Sequence, residues 1–123
     1  MKGEFKRLPD SELEVMQAVW NCSVPASRQD IEQHLQKEMA LTTLLTLLSR
    51  LAEKGFLRIE KEERRSRYVP LVKREDYQAA QSRRFFEQVF AGNISAFASA
   101  LSAGGIDEED IRELKRLLEE GEL

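Results

Sequence analysis

Leucine recurs through the middle of the chain at helical spacing: Leu44, Leu47, Leu48 and Leu51 share one face. At about 100° per residue, Thr42, Thr46, Ser49 and Glu53 lie opposite, with Leu45 and Arg50 on the flanks. Gly55 stops this helix, because it takes a positive φ without a Cβ clash. Leu57 and Ile59 then alternate with Arg58 and Glu60, which predicts a half-buried strand. The following KEERRSR predicts a loop holding Arg64, Arg65 and Arg67; Tyr68 lies on the returning strand, and Pro70 limits its length. Upstream, Leu13, Met16, Val19 and Trp20 form one stripe of a first helix from about Asp10 to Trp20. Ser11 and Glu14 have the spacing of a capping box for it. Residues 21–26 are a turn containing Pro25, and Ser27 N-caps a short second helix that carries Ile31 and Leu35 inward. Residues 38–41 are the turn before the leucine helix. A leucine-backed helix followed at once by a basic hairpin is the core of a winged helix-turn-helix. That unit sets one helix in the major groove of DNA and lays its hairpin on the neighbouring backbone.

From about Arg74 the pattern becomes helical again. Phe85, Phe86, Val89 and Phe90 cover more of the helix circumference than one small core needs. Gly92-Asn93 breaks this helix, and Asn93 can cap the next, in which Ile94, Phe97, Ala98 and Leu101 recur. Gly104-Gly105 ends that helix. Asp107 can cap the last, where Ile111, Leu114, Leu117 and Leu118 are apolar, and Arg112, Lys115 and Arg116 suit the helix dipole. These three helices have no evident core of their own, so their apolar stripes need a partner surface. A second copy of the chain is the simplest one, because most soluble oligomers are symmetric. The expected fold is mainly α with a small β-hairpin: a winged helix-turn-helix over residues 1–72 and a helical dimerisation region over 73–123.

Net charge is −3 over 123 residues, which argues against a polyanion partner until it is divided along the chain. Residues 1–41 carry a net −2, residues 42–74 a net +5, and residues 75–123 a net −6. Basic charge is therefore concentrated on the helix and hairpin, and local sign governs attraction to a polyanion more than the total does. No window approaches the roughly 18 apolar residues of a membrane span. The opening MKGEFKRLPD lacks the apolar segment of a secretory signal. Cys22 is the single cysteine, so no internal disulfide forms. These features point to a cytoplasmic protein.

The candidate DNA contacts follow. Thr42, Thr43 and Thr46 can donate hydrogen bonds to phosphates or base edges; a threonine methyl or Leu45 can rest against a thymine methyl. The other use of Thr42 or Thr43 is as a helix cap. Ser49 shares their face. Arg64, Arg65 and Arg67 suit phosphate or minor-groove contact, tempered by Glu62 and Glu63. Arg50 is divided between a phosphate and an ion pair, and Arg28 is a weaker phosphate candidate. Trp20 reads as core packing. His34 has no cysteine or histidine near it in sequence, so no metal site is expected, and nothing marks Cys22 as a redox switch. No phosphate-binding glycine motif and no Ser-His-Asp set occurs, so neither an enzyme nor a cofactor is expected. A rival reading of the same unit stays open: an interaction module whose basic hairpin docks an acidic protein surface.

The chain also resembles the penicillinase and methicillin-resistance repressors (the BlaI/MecI family), which include the copper-responsive CopY repressors. LPDSELEVMQAVW (8–20) looks like that family's first helix, and TTLLTLLSRLAEKGFL (42–57) like its recognition helix and stop. YVPLVKREDY (68–77) is similar to its strand-to-helix joint, and DEEDIRELKRLLEE (107–120) to its closing helix. The resemblance implies a homodimeric repressor on a palindromic operator, with tails that intertwine. Three departures limit what is carried over. Some members are cut by a protease at an Asn-Phe pair in the penultimate helix, where this chain has Ser99 and Ala100; induction by that cut, and a receptor-protease partner, do not transfer. The copper branch has a C-terminal cysteine cluster, whereas this chain ends in GEL. Thr42 and Leu45 stand where some members carry Lys and Arg, so the operator sequence does not transfer either.

Overall fold

Helix α1 (Asp10–Trp20) is the first element in a computed structural model that describes residues 6–120. The readings made on the opening decapeptide and on the closing GEL rest partly or wholly on residues outside that range. Then come α2 (Arg28–His34), α3 (Leu41–Glu53), β1 (Leu57–Glu62), β2 (Arg65–Pro70), α4 (Arg74–Phe90), α5 (Ile94–Ala103) and α6 (Glu108–Glu120). The first five make a winged helix-turn-helix. The chain divides into two compact units, one up to residue 81 and one from 82 onward. The division falls within α4, beyond residue 72, because the first turns of that helix bury Tyr77 and Ala80.

In the first unit α1, α2 and α3 enclose one core. Val15, Met16, Ile31, Leu44, Leu48 and Leu51 are almost wholly buried. Trp20 packs on its edge, donating its indole N–H to the Val72 carbonyl at 2.9 Å and meeting the Tyr77 ring at 5.8 Å. Ser27 caps α2 in a full capping box: Asp30 N–H donates to its hydroxyl and Ser27 N–H to the Asp30 carboxylate, each at 3.1 Å. The box expected at Ser11 does not form. Pro9 holds the N-cap position of α1, and Glu14 instead accepts a hydrogen bond from Gln36 N–H at 2.7 Å. Helix α3 starts at Leu41, after Ala40, without a side-chain cap; Thr42 and Thr43 are helical residues, not caps. Glu12, absent from the expected apolar stripe, is buried and ion-paired with Lys54 just past the end of α3.

The hairpin is longer than its sequence suggests. β1 and β2 pair antiparallel from Leu57 opposite Pro70 to Glu62 opposite Arg65, leaving a two-residue turn of Glu63 and Arg64. Both turn residues have positive φ, 50° and 71°, as a type I′ turn requires. Arg65 and Arg67 therefore stand on a strand, not in a loop. Ile59 is exposed, contrary to the alternation, because the hairpin outruns the core and only Leu57 of β1 is buried. Tyr68, opposite Ile59, is buried and bridges Ala26 through two backbone hydrogen bonds of 3.0 and 2.8 Å.

The second unit holds an aromatic cluster: Phe97 lies 5.6 Å from Phe86 and 5.3 Å from Phe90, which meets Phe85 at 5.7 Å. Asn93 and Asp107 accept hydrogen bonds from Ala96 N–H and Asp110 N–H at 3.0 and 2.8 Å and so cap α5 and α6. Neither helix buries a residue fully. Phe86, Phe90, Phe97, Leu101 and Ile111 are half-buried, whereas Phe85, Val89, Ile94, Leu114 and Leu118 are exposed.

Candidate nucleic-acid interface

Three elements of the first unit converge on one groove of about 320 Å³. Leu45 of α3 forms one wall, Arg65, Ser66 and Arg67 of β2 another, and Arg28 and Gln29 at the start of α2 close it. The segregation of α3 explains the first wall: four leucines fix its inner face in the core, so Thr42, Thr43, Leu45, Thr46, Ser49 and Arg50 are left exposed. The pairing of β2 explains the second. Arg65 and Arg67 are two apart and so share a face of the strand, while Arg64 stands in the turn.

The cations differ in how free they are. Among the described residues, no carboxylate lies within ion-pair distance of Arg50, Arg64 or Arg65. Arg50 is thus not in the ion pair that its sequence position allowed. Arg67 lies 3.8 Å from a Glu62 carboxylate oxygen, and Arg28 is ion-paired with Glu32. Both pairs are at least partly exposed to solvent, where such contacts contribute about 0–1 kcal/mol. Arg67 also acts on α2: the Asp30 carboxyl is held below the usual carboxylate range first by the Ser27 N–H, then by the Ser27 hydroxyl, with the Arg67 and His34 charges adding less. Thr46 is less available as a donor than its type suggests, because its hydroxyl donates to the Thr42 carbonyl at 2.9 Å.

Gln29 and Ser66 line this groove, and Leu41 is exposed one helical turn before Leu45; none of the three is among the contacts expected from the sequence. Leu41 carried a usable signal, since it precedes Leu45 by one helical turn. Gln29 and Ser66 carried none, because their place depends on how α2 meets β2. Cys22 and His34 are neighbours after all: Cys22 Sγ lies 3.5 Å from His34 Nδ1. That contact does not activate the thiol, whose pKa is pushed up by burial and then by the Asp30 charge. Among the described residues no three His, Cys, Asp or Glu side chains gather as metal ligands, and no helix is long and apolar enough to cross a membrane.

Similarity to known proteins runs along nearly the whole chain. Residues 8–120 match the penicillinase repressor family. The penicillinase repressor of Bacillus licheniformis is 31% identical over 122 residues, covering 94% of each chain. The methicillin resistance regulatory protein MecI of Staphylococcus aureus (strain N315) is 26% identical over 120 residues, covering 96% of this chain and 98% of its own. Among solved structures, the monomeric form of Bacillus licheniformis BlaI in complex with the blaP half-operator aligns with a TM-score of 0.50 and 32% identity, over 60% of this chain and 92% of that one.

Proposed function

The chain belongs to the penicillinase repressor family, and on that premise we propose that it represses transcription by binding operator DNA as a homodimer. Each protomer sets α3 in the major groove, with Thr42, Thr43, Leu45, Thr46 and Ser49 toward the base edges. Arg64, Arg65 and Arg67 of the hairpin hold the neighbouring backbone, joined by Arg50 and Arg28. The observation that carries this reading is the groove in which Leu45 of the helix and Arg65 and Arg67 of the hairpin face a common space. Residues 73–123 join two protomers through the apolar side chains of α4, α5 and α6, so that the pair reads a palindrome. Repression follows from covering promoter DNA, in the cytoplasm, and involves binding rather than catalysis.

The test is a titration against duplex DNA at two salt concentrations. Binding should weaken steeply as salt rises, because each phosphate engaged releases about 0.9 counterion. Arg64→Ala with Arg65→Ala should weaken binding to every sequence and flatten that dependence by up to about two units of slope. No binding at low salt would favour an acidic protein partner for the hairpin instead. Unchanged affinity in the double variant would remove the hairpin from the interface.

A further inference from the structure

Helix α3 separates apolar from polar residues with one exception. Leu44, Leu47, Leu48 and Leu51 complete its buried face, yet Leu41 and Leu45, one turn apart, are 45% and 40% exposed. A single exposed leucine needs no explanation. This pair stands in the first turns of the helix, the part that reaches base edges when such a helix enters the major groove. Leu45 also forms a wall of the groove that holds Arg65 and Arg67.

The polar residues of the same turns are poor in donors. Thr46 has its hydroxyl hydrogen engaged on the Thr42 carbonyl. From residue 41 to 49 there is no Asn, Gln, Lys or Arg, and Arg50 is the first cation of the helix. The bidentate contacts that fix guanine or adenine need a planar amide or a cationic group. What remains is a surface rich in methyl groups, and among the four bases only thymine shows a methyl group in the major groove.

We infer that α3 reads its half-site chiefly through thymine 5-methyl groups, with Leu45 as the specificity-determining residue and Leu41 beside it. The inference rests on the DNA-binding reading above and adds the chemical feature that is read. Arg65 and Arg67 then set the register on the backbone, and the leucines discriminate by burying or failing to bury a methyl group.

The experiment selects binding sites from a random duplex library with the full chain, then resynthesises the recovered site with deoxyuridine replacing thymidine at one position at a time. Deoxyuridine keeps every hydrogen-bonding group and lacks only the methyl. Affinity should fall roughly fourfold for each contacted methyl, the worth of one buried carbon. Leu45→Ala should bind the thymidine and deoxyuridine sites equally, while a far-UV circular dichroism spectrum and a urea midpoint like the parent's report an intact fold. Equal affinity of the parent for both sites overturns the inference, as does a thymidine preference that survives in Leu45→Ala. Failure to enrich any sequence is a separate result that overturns the repressor reading itself.

Discussion

One left-handed residue closes α3. Gly55 sits at φ +81°, and the Gly55 and Phe56 N–H groups donate to the Ala52 and Leu51 carbonyls at 3.0 and 2.9 Å. An added Cβ would meet nothing within 4 Å, so Gly55→Ala should cost only backbone strain, about 1–2 kcal/mol in urea unfolding; a larger loss would show that the turn supports more than itself. Glu12 poses a different constraint. Its side chain is 5% exposed against 42% for its partner Lys54. Lys54→Ala leaves a buried carboxylate without its partner and, because that partner is itself half-exposed, should destabilise by about 1–2 kcal/mol, less than the 3–5 of a fully enclosed pair. Adding Glu12→Gln should recover part of that loss in the same measurement. Asp30 brings a pH dependence. Its folded pKa is depressed, so its contribution is complete above the ordinary carboxylate value of about 3.9 and is lost as pH falls through the lower folded value. Ser27→Ala removes one of its two strongest partners, and an NMR titration should find the Asp30 midpoint moved upward. A stationary midpoint would show that the Ser27 N–H alone holds the Asp30 carboxyl down.

Among the elements, the hairpin turn is strained as it stands. Glu63 and Arg64 occupy left-handed conformations that Asn and Gly adopt more readily. Glu63→Asn with Arg64→Gly should raise stability by about 1 kcal/mol and yet weaken DNA binding, a trade that denaturation and duplex titration on one sample would expose. If affinity holds, Arg64 is no contact. The same turn marks the limit of what the sequence discloses. Features set by near neighbours are legible: the Ser27, Asn93 and Asp107 caps, the Gly55 stop, and the leucine face of α3 all follow from residues within a turn of one another. Features set across the fold are not. Glu12 looks like a surface acid because Lys54, its partner, comes from the far end of α3. Ser11 looks like a cap because nothing in its own turn shows that Glu14 is wanted by Gln36. Glu63-Arg64 lacks the Asn-Gly signature, so a seven-residue loop stood where two strands pair. At the candidate interface, the exposed side of α3 and the arginines were legible; the groove that joins them depends on α2 meeting β2 and was not.

For the whole molecule, the proposal gives dimerisation to the second unit. Phe97 is a poor probe of it, since its ring is packed against Phe86 and Phe90 within the unit. Val89 and Leu118 are exposed, so Val89→Asp with Leu118→Asp should yield a folded monomer by analytical ultracentrifugation and weaken binding to a two-half-site duplex far more than to a single half-site. A dimer unaffected by both changes would locate the contact elsewhere. The first unit carries its own consequence for the duplex. Ala26, in the turn between α1 and α2, is tied to Tyr68 of β2 by a reciprocal pair of backbone hydrogen bonds, so the hairpin is no trailing arm. If α3 and the hairpin hold DNA as proposed, the span between them is settled before any duplex arrives, like the jaws of a fixed gauge. A duplex whose groove width does not match must deform to fit, and sequences differ in how easily they deform. Some base pairs will therefore govern affinity without being touched.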